Sequence, residues 1–478
     1  MTFLEDCTVT MNALDAYAKR AGGREGKAIR QPPMAELAGQ LQVDHWLTQG
    51  GLRGEAWATF LDSYLAAATR LHDPRTMAHQ VAVPHPMGSL GAMVDAFTNN
   101  APPLYEMGPS GATVDHLLLN WMLAKVGWTP QALPGGTESA GGHGGGTFTH
   151  GGSLANLTAL MAARGSVAPE AWQDGVPGDL VLVAPEVCHY SIGRAADILG
   201  LGRRRVLAPP VDGDGRILPG ALGGFLRALQ DRGSAILAVV ANAGSTPAGL
   251  FDPIRAVAEA CRAAGVWLHV DGAHGGSALL SGRCRHLLDG VELADSMVWD
   301  AHKMLRAPIV AAAVLVRDHQ FLDQAFHQEA SYLFHDKDQP GIDLLHRNVE
   351  CTKGAIGLRT FVAIACEGEQ AMAAYLDRQL DLARAAAAHI AAQPGLELAI
   401  EPPFNILCFR VDGPDQLQLD LRKRLLDLGD FYITSTNFRG RRWLRLALMN
   451  PATELGDIWL LVAEIQNLAG SLAAGASV

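Results

Sequence analysis

The sequence predicts an α/β fold with a mostly parallel central sheet and a smaller α+β domain at the C-terminal end. In the middle of the chain, short apolar strand patterns alternate with helix patterns, which is typical of a parallel sheet covered by helices on both faces. After about residue 355 a long alanine-rich helix leads into strands that flank a single helix. We therefore expect an N-terminal helical segment over 1–75, a large domain over 76–365 and a small domain over 366–478.

The elements follow from local patterns, taken in order. The first seventy residues are amphipathic helix with glycine turns at Gly22-Gly23 and Gly50-Gly51. The glycine-dense stretch 135–152 is by composition a linker, but a good helix former, 154–164, follows at once. The other predicted elements are strands at 180–184, 235–241, 266–270, 296–299, 309–316, 405–411, 431–434 and 443–448, and helices at 191–199, 253–264, 415–428 and from about 454.

Composition excludes several classes of protein. The net charge of −11 argues against a nucleic-acid partner, which would require clustered Lys and Arg. The most apolar late stretch, 309–316, is too short to span a membrane, and the start of the chain lacks a signal-peptide pattern. Seven scattered cysteines without CxxC spacing favour a reducing compartment, with no zinc or other metal site. We therefore expect a soluble, cytoplasmic protein.

Two residues carry the central chemical hypothesis. Lys303 lies among apolar residues, where an ammonium group needs an ionic or a covalent partner. Asp271 ends the apolar strand that begins near Trp267, and open α/β sheets bind ligands at such strand ends. The pair fits a pyridoxal 5'-phosphate (PLP) site, in which Lys303 would form the Schiff base and Asp271 would keep the pyridine nitrogen protonated.

Further polar residues follow predicted strands. Gly151-Gly152-Ser153 opens a helix and could bind a phosphate, although Ser153 is equally well an N-cap. Ser296 could supply another phosphate hydroxyl or simply begin a strand, and His302 could reach the phosphate. His189 is either a helix cap or an imidazole stacked on the cofactor, and Thr246 lies in a turn after a strand.

These segments occur in an order that resembles the group II PLP-dependent amino acid decarboxylases, which include the glutamate, cysteine sulfinate, diaminobutyrate and aromatic amino acid enzymes. The resemblance covers the chain from about residue 73 to its end. It rests on the segments Gly151–Leu160, His189–Ser191, Asn242–Thr246 with Asp252-Pro253, Asp271–Gly276, Ala294–Ser296 with His302-Lys303, Ala330–Phe334 and Trp443–Pro451.

The resemblance implies the aspartate-aminotransferase-like type I fold of PLP-dependent transferases, as a homodimer with active sites at the subunit interface. Lys303 would be the aldimine lysine, Asp271 the pyridinium partner and His189 the ring stack, with Ala273 packed on the opposite face of the ring. Arg445 lies in the segment that carries an arginine for the substrate α-carboxylate.

The substrate side chain is indicated only in part. His79 and Gln80 lie where the family carries side-chain contacts, and Gln80 together with Ser331–Phe334 favours acidic substrates such as those of glutamate decarboxylases. The expected function is therefore decarboxylation of a small L-amino acid, either acidic or diaminobutyrate-like, to an amine and carbon dioxide in amino acid metabolism.

One departure from the family pattern keeps alternatives open. The loop 335–346 contains no tyrosine, whereas a loop tyrosine protonates the carbanion in glutamate and aromatic decarboxylases. His335 or His346 could donate that proton, or both could be solvated loop residues. Without a donor, decarboxylation-dependent oxidative deamination to an aldehyde becomes an alternative. Transamination and another PLP-dependent lyase reaction are further, less favoured alternatives. A non-catalytic subunit with a PLP fold is a further alternative, which the intact Lys303 and Asp271 oppose.

Overall fold

The computed structural model describes residues 2–134, 142–326 and 341–475. The chain forms two compact units, one from residues 1–83 with 381–478 and the other from residues 84–380. In this grouping the N-terminal helices belong with the C-terminal part of the chain. The division into domains at residues 75 and 365 stays a prediction.

The described residues contain sixteen α-helices and eleven β-strands. The helices are α1 Phe3–Gly22, α2 Met34–Leu41, α3 Val43–Gln49, α4 Glu55–Ala67, α5 Pro86–Thr98, α6 Pro109–Val126, α7 Gly152–Val167, α8 Ala171–Asp174, α9 Tyr190–Ile198, α10 Pro219–Gln230, α11 Ile254–Ala264, α12 Gln320–Ala325, α13 Ile356–Ala365, α14 Glu369–Ala391, α15 Asp415–Leu428 and α16 Leu455–Gly475. The strands are β1 Gly145–Thr149, β2 Leu180–Val183, β3 Val206–Leu207, β4 Ala235–Asn242, β5 Leu268–Asp271, β6 Ser296–Asp300, β7 Ala312–Val316, β8 Leu396–Leu398, β9 Ile406–Val411, β10 Thr434–Phe438 and β11 Arg441–Ala447.

The unit of residues 84–380 is built on a seven-stranded sheet in the order β1-β7-β6-β5-β4-β2-β3. The strands from β3 to β6 pair in parallel, and only β7 runs antiparallel to its neighbours. The central strands are continuous apolar runs, and β4 to β7 are almost wholly buried, as expected for strands covered on both faces. The predicted α/β fold with a mostly parallel sheet is confirmed.

The glycine-dense stretch is not a linker over its described part. Residues Gly145–Thr149 form β1, a fully buried strand paired antiparallel to β7. A Cβ atom at Gly145 would lie 2.8 Å from the Cα of His319, and one at Gly146 would lie 2.8 Å from the Val314 carbonyl oxygen. The glycines are therefore needed because neighbouring backbone comes too close for a side chain, which composition alone does not reveal.

The other unit contains a four-stranded antiparallel sheet in the order β10-β11-β9-β8. Its core includes Leu407, Leu446 and Ile458, which come from two strands and from α16. The strand predicted over 431–434 is wrong in position, because β10 begins only at Thr434. Tyr432 instead forms an isolated bridge to Thr76.

Within the described ranges, no helix is long and apolar enough to cross a bilayer.

Candidate active site

The predicted site residues of the larger unit follow strands that end at the same edge of its sheet. Asp271 is the last residue of β5, Lys303 follows β6, and His189 follows β2. Because β7 runs antiparallel to both β6 and β1, β1 points in the same direction as β6 and brings Gly151 to this edge as well. Chain direction therefore places an amine, a carboxylate, an imidazole and a helix N-terminus together.

Lys303 forms an ion pair with Asp300, the last residue of β6. The Nζ atom lies 3.0 Å from Asp300 Oδ2, with 18% of the Lys303 side chain exposed and only 2% of the Asp300 side chain. The other carboxylate oxygen, Oδ1, is buried and has no hydrogen-bond partner among the described residues. The lysine predicted to need an ionic or a covalent partner thus has an ionic one.

Two donors from the surrounding backbone and α7 orient the Asp271 carboxylate. The Asn156 amide donates to Oδ2 over 3.1 Å, and the Ala273 backbone N–H donates to Oδ1 over 3.2 Å. Asp271 is 8% exposed. The carboxylate is therefore held in one orientation at the end of β5, where it can face a cationic ring nitrogen.

Behind Asp271 lies a buried chain of hydrogen bonds with a single direction. Burial lowers the pKa of His269 to about 4, so the ring is neutral. Its Nε2 lies 3.0 Å from Asn156 Oδ1, an acceptor, and its Nδ1 lies 2.9 Å from Ser296 Oγ. The proton is therefore assigned to Nε2, and the Ser296 hydroxyl donates to Nδ1. The Trp267 indole N–H donates to Ser296 Oγ over 2.9 Å.

This chain corrects one predicted role. Ser296 is the first residue of β6, whereas Lys303 follows the last residue of that strand. Its hydroxyl is engaged with the ring nitrogens of His269 and Trp267. Ser296 therefore supports His269 at the amino end of the strand, and does not face the glycine turn as a phosphate-binding hydroxyl would.

His189 is joined to the same cluster through Ser191. Its Nδ1 lies 2.8 Å from Ser191 Oγ and accepts the Ser191 backbone N–H over 3.3 Å, so the neutral ring carries its proton on Nε2. The Asn156 amide also donates to Ser191 Oγ over 2.9 Å. Burial lowers the pKa of His189, the charge of Asp271 raises it and that of Lys303 lowers it. His189 is also the N-cap of α9. This role does not exclude the predicted stacking on the cofactor.

The start of α7 lies next to Asp300. Gly151 has a φ of +97°, a conformation that favours glycine, and precedes the first turn of the helix. A Cβ atom on Gly152 would lie 2.6 Å from Asp300 Oδ2, so only glycine fits there. Nearby, His302 Nδ1 donates to the Ala311 carbonyl over 2.7 Å, and its Nε2 lies 3.7 Å from Asp300 Oδ2.

Arg445 belongs to β11 in the other unit and is 4% exposed. Its Nη1 donates to the Ala78 carbonyl over 3.2 Å. Its Nε and Nη2 have no hydrogen-bond partner among the described residues. Burial lowers the pKa of Arg445. A buried guanidinium with two open donors is poised to bind an anion.

His79 and Gln80 follow Met77 and Ala78, which form hydrogen bonds with β11. His79 is largely exposed, and its Nε2 lies 2.9 Å from the Tyr432 hydroxyl. Burial of part of the ring lowers the pKa of His79, and the charges of Arg445 and Arg422 lower it further. Gln80 is half-buried.

Sequence reasoning missed Asn156, Ser191 and His269. Asn156 and His269 had a visible signal, because they are isolated polar residues in apolar segments, and buried polar groups need partners. Thr246 lies in the turn after β4 and is exposed. The segment Ala330–Phe334 and His335 lie outside the described residues.

Comparisons with known proteins identify the family of the chain. A family model described as "Pyridoxal-dependent decarboxylase conserved domain" matches residues 65–412. The rat cysteine sulfinic acid decarboxylase is 31% identical over 415 residues, which cover 81% of this chain and 80% of that protein. The L-2,4-diaminobutyrate decarboxylase of Acinetobacter baumannii is 27% identical over 432 residues, covering 85% and 82%. The crystal structure of mouse CSAD in its apo form has a TM-score of 0.85 at 27% identity and covers 97% of this chain and 98% of that chain.

The fold and the site define a PLP-dependent enzyme of fold type I, as the resemblance implied. The chain belongs to the pyridoxal-dependent decarboxylase family. It is a carboxy-lyase that uses PLP to decarboxylate a small amino acid. The residues fit the cofactor, because the lysine amine, the oriented Asp271 carboxylate and the open first turn of α7 are gathered at one sheet edge. The comparisons give no support to oxidative deamination.

Proposed function

We propose that this enzyme decarboxylates a small L-amino acid with an acidic side chain, and that Arg445 binds the substrate α-carboxylate. The observation that carries the proposal is the buried guanidinium of Arg445, whose Nε and Nη2 have no partner among the described residues. A buried cation with open donors is costly unless a ligand completes it. A carboxylate does so with two parallel N–H···O bonds.

The charge around His79 favours an acidic over a basic side chain. After the larger effect of burial, the charges of Arg445 and Arg422 lower the pKa of His79, so two guanidinium groups act on this position. A diaminobutyrate-like substrate would bring a second ammonium group near these charges, whereas a carboxylate or sulfinate would be attracted. The half-buried Gln80 beside it can donate its amide N–H groups to such an anion.

Residues of the larger unit would bind the cofactor and take the other catalytic roles. When bound, PLP acts as the electron sink for the charge that loss of carbon dioxide leaves at Cα. Asp271, oriented by Asn156 and Ala273, would keep the pyridine nitrogen protonated. Lys303 would carry the reactive amine.

Two further groups would hold the ring and the phosphate. His189 would lie against the ring with its Nε2 proton available for transfer, and Ala273 would lie on the opposite face. The first turn of α7, Gly151-Gly152-Ser153, would bind the phosphate through backbone N–H groups, with His302 beside it.

A homodimer is part of this proposal. On α5, Gly88 and Gly91 are buried and pack close to α13. The rest of the helix surface exposes a stripe of apolar side chains, 38–69% exposed, at Met87, Leu90, Met93, Val94 and Phe97. Contiguous apolar surface of this kind marks a protein interface, and a second copy of this chain would cover it.

We also propose that the enzyme works in the cytoplasm. The seven cysteines all lie in the described ranges and none forms a disulfide, although Cys351 and Cys366 are exposed to solvent. Exposed free thiols are typical of a reducing compartment.

The reaction is tested with a substrate panel on the PLP-loaded enzyme, following carbon dioxide, amine, aldehyde and oxygen. We expect cysteine sulfinate, aspartate or glutamate to give the highest kcat/KM, at least about tenfold above 2,4-diaminobutyrate, which is a difference of about 1.4 kcal/mol. A preference for diaminobutyrate would contradict the acidic assignment. Borohydride should fix the cofactor on Lys303, and K303A should not be labelled.

The Arg445 role is tested by comparing R445K with R410K. Arg410 is an equally buried arginine of the same sheet, but it already pairs with Asp415 at 2.9 Å. We expect R445K to lose about a hundredfold or more in kcat/KM, because lysine cannot form the two parallel bonds. R410K should stay close to wild type, and equal losses in both variants would refute the role.

A further inference from the structure

The carboxylate of Asp300 lies in an unusual place for an enzyme that binds a phosphate. Asp300 is 1% exposed and contacts Gly152, the first residue of α7, where an added Cβ would lie 2.6 Å and 2.8 Å from its two oxygens. Oδ2 is paired with Lys303, but Oδ1 has no partner among the described residues. A buried, unpartnered acceptor therefore faces the helix start that would bind the cofactor phosphate.

A carboxylate oxygen and a phosphate oxygen are both acceptors, so they cannot form a hydrogen bond unless one of them carries a proton. Two anions in a buried site also repel each other, and such sites generally retain a proton between them. Free PLP cannot supply that proton at alkaline pH, because its phosphate loses the second proton near pH 6. The proton must then come from solvent.

We propose that Asp300 makes phosphate binding at the start of α7 proton-coupled, with one proton taken up and held between Asp300 Oδ1 and a phosphate oxygen. The inference rests on PLP being the cofactor and not on the identity of the amino acid substrate. It assigns to Asp300 a positioning role for the cofactor beyond its ion pair with Lys303. An asparagine at this position would donate an N–H to the phosphate without any proton uptake.

The charged groups around Asp300 do not remove this requirement. On its own turn, Lys303 Nζ lies at 3.0 Å and His302 Nε2 at 3.7 Å, both on the Oδ2 side. At the N-cap of α9, burial lowers the pKa of His189, the charges of Asp271 and Asp300 raise it, and that of Lys303 lowers it. The first three residues of α7, Gly152, Ser153 and Leu154, carry no ionisable side chain. Oδ1 thus has no cationic partner of its own among the described residues.

The test compares PLP with pyridoxal, which lacks the phosphate, on the full chain freed of cofactor. Both aldehydes react with Lys303 in the same way, so the ratio of their dissociation constants isolates the phosphate contribution. Tryptophan fluorescence quenching gives both constants between pH 7 and pH 9. For the wild type, we expect the advantage of PLP over pyridoxal to fall with pH, approaching about tenfold per pH unit for one linked proton.

The variant D300N should abolish this dependence. We expect its PLP advantage to stay flat with pH and to exceed that of the wild type by about tenfold or more at pH 9. The control D295N removes a carboxylate near the other end of β6, where Asp295 accepts the Leu268 N–H, and should follow the wild type. A flat profile in the wild type, or the same slope in D300N, would overturn the proposal.

A measurement on the wild type alone covers the case in which D300N does not fold. Calorimetric titration at pH 8.5 in two buffers with different heats of ionisation counts the protons taken up on binding. PLP should take up about one proton more than pyridoxal. Equal uptake would overturn the proposal, whereas carbon dioxide release by the loaded enzyme tests the proposed reaction separately.

Discussion

The hydrogen-bond chain behind Asp271 makes a specific prediction about Asn156. Asn156 is 1% exposed, donates to Asp271 and Ser191, and accepts from His269. The substitution N156D keeps the shape and the acceptor for His269. It replaces the donor facing Asp271 with a second carboxylate.

The size of the effect follows from the geometry. Two like charges 3.1 Å apart repel by about 5 kcal/mol at an effective dielectric constant of about 20. In the folded state the two carboxylates relieve part of this repulsion by holding a proton between them. The folded state therefore binds more protons than the unfolded state, and the stability of the variant falls as pH rises. We expect N156D to lose about 3–5 kcal/mol of unfolding free energy at pH 8, and to recover roughly 1.4 kcal/mol per pH unit towards pH 6.

The assay is urea unfolding of the cofactor-free chain at pH 6, 7 and 8, followed by circular dichroism. The double variant N156D/D271N exchanges the amide and the carboxylate, and should regain most of the stability at pH 8. It should not regain decarboxylation, because the acid no longer ends β5.

The control is N120D. Asn120 makes comparable hydrogen bonds to His116 and Gln131, with no carboxylate among its partners, so its stability should not fall steeply with pH. The reasoning is refuted if N156D is as stable as the wild type at pH 8, or if adding D271N leaves the loss unchanged.

Three further predictions follow from burial. R445M should stabilise the cofactor-free chain by about 1–3 kcal/mol in urea unfolding, because it removes two unpartnered donors, and should abolish carbon dioxide release; a less stable variant would contradict the picture of an unsatisfied guanidinium. Burial raises the pKa of Asp115 to about 7, against the opposing charge of Lys353. Its raised pKa makes the wild type lose stability as pH rises from about 4 to 7, so D115N should gain about 2–3 kcal/mol relative to wild type between pH 5 and 7, and parallel urea profiles would argue against it. L90E on the α5 stripe should halve the mass in sedimentation, whereas I198E, at a 62% exposed position on α9, should not; a dimer in both would place the interface elsewhere.

Much of the fold was predictable because its signals are local. The predicted helix 415–428 has the bounds of α15, and the strands ending near Val183, Asn242 and Asp271 were predicted within two residues. Continuous apolar runs between turns identify buried parallel strands without further information. β1 was missed because its glycines are selected by the neighbouring backbone, and sequence statistics associate such runs with linkers.

The sequence predicted residues that would contact the cofactor, but not the residues that support them from behind. Lys303 and Asp271 are charged residues in apolar segments, and this pattern is visible in the sequence alone. Of the two roles left open for Ser296, the structure favours the start of a strand, because its hydroxyl bonds to His269 and Trp267. Asn156 was missed because its three partners, Ser191, Asp271 and His269, come from α9 and β5, which are distant in the sequence.

The sequence by itself indicated the class of chemistry, since Lys303 and Asp271 fit a PLP site and the order of the segments resembles the decarboxylase family. Only the tertiary structure decided which polar groups are already satisfied and which remain open. In the sequence Asp300 is an ordinary charged residue, and Arg445 is singled out only by the family resemblance. Both are buried and keep hydrogen-bonding atoms that have no partner among the described residues. Because a missing partner is costly where water is excluded, those atoms mark where the ligands are expected to bind.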